Sequence, residues 1–418
     1  MTTTQDIVRP LALTARLLGA CWPHLLLIGC LGIIARDLLL DAAVTVGLQN
    51  PLGGMIVLSL VVLAKLMVLV LMFAVLRPHL PALAALRREA AGEGAAEEKP
   101  RDRFLMVTAA AILPFFAYYA AWGFLGDTVR EYSRAALARA PLGESVNIFE
   151  LLQSRGVILS IALCWAVRFL AKRMNERSRQ PYWRLLIVAA DASWIFIGLY
   201  ALDVWKDDLI RWIGAGSVLQ ELSLDVLLPT LAAYAAEGFV PVEFQPKPLS
   251  EQAQSLFFYA LLPMVWLVMA AIINGYELSA KGRAAPPPSP RSSWRRWSSD
   301  FAAHFLGGYR QRYAPVWTCL KLTLGAGLAT LVTFIVAYRF IGWAGAWMWY
   351  GATRQIGAHD LGTWQMFADW ISVFIGSPSD LDGGILLDAM RVALLAAVLE
   401  YAVASGREPA GPAPVSAG

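Results

Sequence analysis

Residues 55–76 read MIVLSLVVLAKLMVLVLMFAVL, an apolar run broken by one ionisable side chain, Lys65. Wound as an α-helix, this run extends about 33 Å, enough to cross a hydrocarbon core of about 30 Å. Its segment Leu69–Val70–Leu71–Met72–Phe73 does not alternate in polarity, which excludes a barrel strand. A helix also satisfies its own backbone polar groups, which lipid cannot do.

Similar runs occur on both sides. Leu17–Ala35 lies before it, and Phe104–Gly126, Val157–Ala171, Leu185–Leu202 and Leu256–Ile273 follow. Val316–Tyr338 and Ile385–Ala404 complete the set. The pattern predicts an all-α polytopic membrane protein with about eight transmembrane helices. Composition agrees. Of 418 residues, 58% are hydrophobic and 16% charged, against about 45–50% and about 25% in soluble domains. So few charges cannot cover a soluble surface of this size. The same figures exclude a disordered chain, a disulfide scaffold and a nucleic-acid-binding domain.

The connections alternate in charge. Residues 172–184 hold five basic side chains and one acidic, and residues 277–315 hold seven and two. Residues 203–255 reverse this, with eight acidic and three basic. The positive-inside bias places the basic connections and both termini in the cytoplasm. The expected organisation has a cytoplasmic N-terminal segment at 1–16 and a six-span region at 17–276. That region contains a cytoplasmic linker, 77–103, and an acidic extracytoplasmic loop, 203–255. A basic Pro-rich loop at 277–315 leads to a two-span region at 316–404. Its extracytoplasmic loop, 339–383, is rich in Trp, a residue of headgroup interfaces. Residues 405–418 read as a disordered tail.

Ionisable residues inside apolar runs are costly and mark sites or partners. Lys65 sits mid-run, and its neighbours on the same helix face are apolar, so its counter-charge must come from another helix. Asp191 stands at a matching depth, and a Lys65–Asp191 contact is expected. Asp388 and Arg391, three residues apart, share a helix face and can pair. Glu400 lies near the other end of that run. These five residues, Lys65, Asp191, Asp388, Arg391 and Glu400, are the candidate substrate or ion pathway. Arg168, Lys321 and Arg339, near run ends, read as snorkelling anchors. Asp37, Asp41, Asp207 and Asp208 are outer-face acidic candidates. The cluster Arg291–Trp297 suits anionic lipid.

Gly53–Gly54–Met55–Ile56 opens one run and Gly383–Gly384–Ile385–Leu386 another, each followed by a basic residue, Lys65 or Arg391. A duplication or chance can produce this. The chain contains no phosphate-binding loop, no His-Glu-x-x-His and no Gly-x-Ser-x-Gly. Its four Cys all lie in apolar runs and its His are scattered. No metal site and no cofactor are expected. The expected partners are the lipid bilayer and other membrane proteins, not nucleic acid. The leading expectation is a non-ATP-driven permease or permease-like subunit of a bacterial cytoplasmic membrane. The alternatives are a non-catalytic assembly or anchoring protein, and an enzyme acting on a lipid-linked substrate through its outer-face Asp residues.

Overall fold

The computed structural model describes residues 3–91, 100–121, 124–139, 155–178, 181–215, 249–279, 327–377 and 383–407. Among these the protein is almost entirely helical and contains no strand. The Arg291–Trp297 cluster, Lys321, residues 280–315 of the Pro-rich loop and residues 408–418 of the tail lie outside the described residues, whereas 405–407, expected in the disordered tail, are helical.

The chain opens with a helical hairpin, α1 (Thr3–Gln49) and α2 (Pro51–Leu76). Asn50 makes the turn. Its backbone is extended, and its side-chain oxygen accepts hydrogen bonds from the N–H groups of Leu52 (3.0 Å) and Gly53 (3.2 Å). Pro51 follows at the first helical position, where its missing N–H costs nothing. The Asn50 N–H in turn donates to the Val46 carbonyl at 2.7 Å, closing α1. The helices then pack along their whole length. Cys21 Sγ meets His79 Nδ1 at 3.4 Å, Gly32 packs on Val68, and Gly47 packs on Gly54. Residue i of α1 thus sits within about one position of residue 100 − i.

A short 3-10 turn, Arg77–His79, leads to α3 (Pro81–Ala91). Then come α4 (Pro100–Ala121), α5 (Phe124–Arg139), α6 (Arg155–Ser178), α7 (Pro181–Ala215) and α8 (Leu249–Ser279). The last described elements are α9 (Leu328–Ile356), α10 (Leu361–Ile375) and α11 (Ile385–Arg407). Asp360 caps α10, accepting from the Thr363 hydroxyl (2.6 Å) and N–H (3.1 Å). Those bonds hold its carboxyl below the usual carboxylate range.

Helix α11 is the centre of the structure. Every residue from Val392 to Leu399 is buried, which requires neighbours on all sides of the helix. Helix α2 is the second core element, with Leu58, Val62, Leu66, Val70 and Phe73 almost fully enclosed. The outer surface is apolar. Trp22, Leu27, Leu31 and Leu38 of α1 are exposed, as are Leu163 and Phe169 of α6 and Val336, Phe340 and Trp347 of α9. Among the described residues, four helical stretches are long and apolar enough to cross a membrane: Ile7–Gln49, Pro51–His79, Tyr182–Tyr200 and Leu328–Ile356.

Several expected boundaries move. The apolar run at Leu17–Ala35 does not end in a loop at Arg36. Helix α1 continues through Asp37 and Asp41, and the hairpin register puts Arg36 level with Ala64 rather than beyond the end of α2. The charges are tolerated because α5 packs beside them. Helix α9 begins at Leu328 and runs on through Arg339 to Ile356, so Trp343, Trp347 and Trp349 are helical rather than parts of a loop. Arg339 does not end the helix because its Nε and Nη2 donate to the Tyr259 carbonyl of α8, at 2.8 and 2.6 Å. Helix α7 likewise carries residues 203–215, the start of the expected acidic loop, as a continuous helix.

Two glycines are demanded by close backbone approach. A Cβ on Gly54 would lie 2.6 Å from the Gly47 Cα, and one on Gly384 would lie 2.3 Å from the Phe374 carbonyl carbon. Gly19 has nothing within 4 Å of the corresponding position. Gly54→Ala should therefore destabilise the protein by about 1–3 kcal/mol, as overpacking does. Gly19→Ala should be neutral or stabilise by up to about 1 kcal/mol. Paired melting curves in mild detergent check this, and equal melting temperatures for the two variants would refute the hairpin register.

Candidate functional site

The faces of α2 and α7 decide where the internal charges point. Ser59 of α2 and Ser193 of α7 share a hydrogen bond at 2.8 Å in the core. Asp191 is two residues before Ser193, about 200° around the helix, so it faces away from α2. It meets α6 instead. Arg168 Nε lies 2.6 Å from Asp191 Oδ1, and the Trp194 indole N–H donates to the same oxygen at 3.1 Å. The Arg168 guanidinium also lies 5.5 Å from the Trp165 ring centroid. The expected Lys65–Asp191 contact is thus replaced by an Arg168–Asp191 clamp between α6 and α7. Arg168 is a pairing residue, not a snorkelling anchor.

Lys65 turns toward α11. Lys65 lines two cavities together with Asp388 of that helix, and shares the first with Glu131 of α5. The Lys65 ammonium lies 5.7 Å from the Tyr119 ring centroid. The Asp388–Arg391 pair expected from spacing is present, with Arg391 Nη1 3.3 Å from Asp388 Oδ1. The two side chains are 26% and 19% exposed, inside a helix otherwise surrounded by apolar residues.

Lys65 and Asp388 separate two cavities and line both. The first, of about 590 Å³, is polar. Arg36 of α1, Asp127, Arg130, Glu131 and Arg134 of α5, and Asp369 of α10 line it. Arg36 pairs with Glu131, and Arg130 with Asp127. The second, of about 450 Å³, is aromatic. Tyr118, Trp266, Tyr338 and Trp343 surround it together with Arg339 and Arg391. Helices α8, α9 and α11 supply most of its surface, and α2 and α4 complete it.

Glu400 belongs to neither cavity. Its two carboxylate oxygens accept from the backbone N–H groups of Ala82 (2.5 Å) and Leu83 (3.0 Å). A carboxylate there accepts from N–H groups of the first turn of α3, which have no acceptor within their own helix, and complements the helix dipole. Glu400 thus leaves the candidate pathway and becomes the residue that docks α3 on α11. It borders a third cavity, of about 470 Å³, with Arg9, Arg16 and His79.

Two of the outer-face acidic candidates lie against arginines. Asp37 lies 3.4 Å from Arg36, and Asp41 pairs with Arg139 of α5. Asp207 and Asp208 stand on α7, where the described structure extends to their backbone. Among the described residues no group of three His, Cys, Asp or Glu is placed to hold a metal ion.

Sequence reasoning missed α5 as a contributor. Its Asp127, Arg130, Glu131 and Arg134 fall at i, i+3, i+4 and i+7, one face of a helix, and that spacing is a readable signal. No protein-family model, curated protein or solved structure matches the chain. Function therefore has to be read from these residues and their geometry.

The α6–α7 clamp makes a testable claim about coupling. Arg168→Leu and Asp191→Leu should each destabilise the protein by leaving an unmatched charge. The double variant should recover part of the loss, with a coupling of about 0.5–3 kcal/mol. Thermal melts of the three variants measure it, and strictly additive losses would remove the pair.

Proposed function

We propose that the protein is a non-ATP-driven permease, or permease-like subunit, of a bacterial cytoplasmic membrane. Its solute path crosses between the two cavities at Lys65 and Asp388. The observation that carries the proposal is the sharing of these two residues, on the two core helices α2 and α11, by a polar cavity and an aromatic one. A transporter needs a central site reachable from two sides and closed between them. Opposite charges that line both cavities can supply that closure, because a charged solute or proton passing between the cavities must interact with them.

On this reading the chain has about eight spans with both termini in the cytoplasm. The basic cluster Arg291–Trp297 rests on anionic lipid. The exposed apolar faces of α1, α6 and α9 are turned to acyl chains. The assembly-protein reading draws on other residues: Arg168–Asp191, Asp41–Arg139 and the Glu400 cap fasten helices and touch neither Lys65 nor the aromatic cavity. It accounts for those contacts and leaves the paired cavities unexplained. The enzyme reading needs outer Asp residues free to act as bases, and Asp37 and Asp41 each lie against an arginine.

The test is charge movement in proteoliposomes under applied gradients of protons, amino acids and carboxylates. Wild-type protein should carry at least one of these above the level of empty vesicles. Lys65→Met should lose that flux by tenfold or more while reconstituting to the same density. Folded wild-type protein that moves none of them would overturn the permease reading.

A further inference from the structure

The aromatic cavity has a chemistry of its own. Its boundary carries Lys65, Arg339 and Arg391 against a single carboxylate, Asp388. The cations already sit beside rings: Arg391 lies 5.6 Å from the Tyr338 centroid, Arg339 lies 4.9 Å from Tyr259, and Lys65 borders Tyr119. A cationic guest would meet three fixed positive charges and rings already engaged by cations. An anionic guest would meet the opposite.

Arg391 supplies the specific contact. One of its terminal nitrogens reaches Asp388, yet its Nε is buried and has no hydrogen-bond partner. The side chain is nevertheless 19% exposed and lines the cavity, so its other guanidinium N–H groups can donate to a bound carboxylate or sulfonate oxygen. Space is available beside it. Gly342 of α9 faces the guanidinium, and a Cβ built there meets only Arg391 Nη2, at 3.9 Å. The remaining surface is apolar: Leu262, Leu395 and the edge-to-face pair Tyr118–Trp266, whose centroids are 5.2 Å apart. Tyr259 and Trp343, which also line the cavity, are 59% and 56% exposed on the apolar outer surface of α8 and α9. A guest with an apolar body can therefore enter from that side.

We infer that the cavity between α4, α8, α9 and α11 binds an amphipathic organic anion, its apolar body among the rings and its acidic head on Arg391. That this anion is also the transported solute rests on the permease reading; that it binds does not.

The test uses three probes with one body and different heads: 3-phenylpropionate, 3-phenylpropan-1-ol and 3-phenylpropylamine, at neutral pH in a non-ionic detergent. A ligand that binds the folded state raises the melting temperature by mass action. The carboxylate should raise it in a saturable manner, at concentrations where the alcohol and the amine do not. The shift should vanish in Gly342→Leu, which fills the cavity and keeps every charge, and fall at least tenfold in apparent affinity in Arg391→Gln. No shift in the wild type, an equal shift from the amine or alcohol, or an undiminished shift in Gly342→Leu would each overturn the inference. Flux is measured separately in proteoliposomes. Binding without flux of the carboxylate keeps the site and counts against the permease reading. Flux of another solute without carboxylate binding does the reverse.

Discussion

The chain reverses direction at one residue, Asn50, and everything around Lys65 depends on that reversal. A looser turn would let α1 slide along α2. With Asn50 holding the first N–H groups of α2 and Pro51 fixing the entry, the register is set. Gly47 and Gly54 then allow the backbones to touch. The register brings Arg36 level with the middle of α2. It thereby brings Glu131, and with it the charged face of α5, to the polar cavity that Lys65 lines. The hairpin is a local feature, but its consequence is the placement of groups almost a hundred positions apart in sequence.

The charges inside the helices divide by what they touch. Arg168–Asp191 ties α6 to α7, and Glu400 ties α11 to the first turn of α3. Lys65, Asp388 and Arg391 are different, because each borders open space as well as a partner. Charges spent on a contact between two helices fasten those helices. Matched charges beside a cavity can exchange partners with a guest. That difference, rather than the presence of charge, separates structural from functional candidates here.

Much of the helical architecture is legible in the apolar runs. Helix α2 was expected at Met55–Leu76 and occupies Pro51–Leu76; α11 was expected at Ile385–Ala404 and occupies Ile385–Arg407. Asp388–Arg391 was legible because spacing along one helix fixes both distance and direction. The partner of Lys65 was not. Counting residues along a helix gives depth, but pairing between helices also needs the angle about each axis. For α7 that angle is set by Ser193 against Ser59, a contact no spacing reveals. The end of α9 was hidden for a related reason. Arg339 looks like a boundary until the Tyr259 carbonyl is placed beside it.

The repeated glycine pairs gain a physical meaning, whatever their origin. Each opens a core helix where the backbone of the preceding segment comes within contact, Gly47 against Gly54 and Phe374 against Gly384. Each helix then carries a basic residue to the aromatic cavity, Lys65 eleven positions after Gly54 and Arg391 seven after Gly384. Small residues at the start let these two helices approach their neighbours closely, and close approach is what encloses the charges farther along. A larger residue at either position would push the helix outward and open the cavities to their surroundings. An ion pair in contact with bulk water is worth little. The glycines and the charges are therefore linked: tight packing at the helix starts gives the Lys65–Asp388 boundary a low-dielectric setting, in which electrostatic interactions are strong.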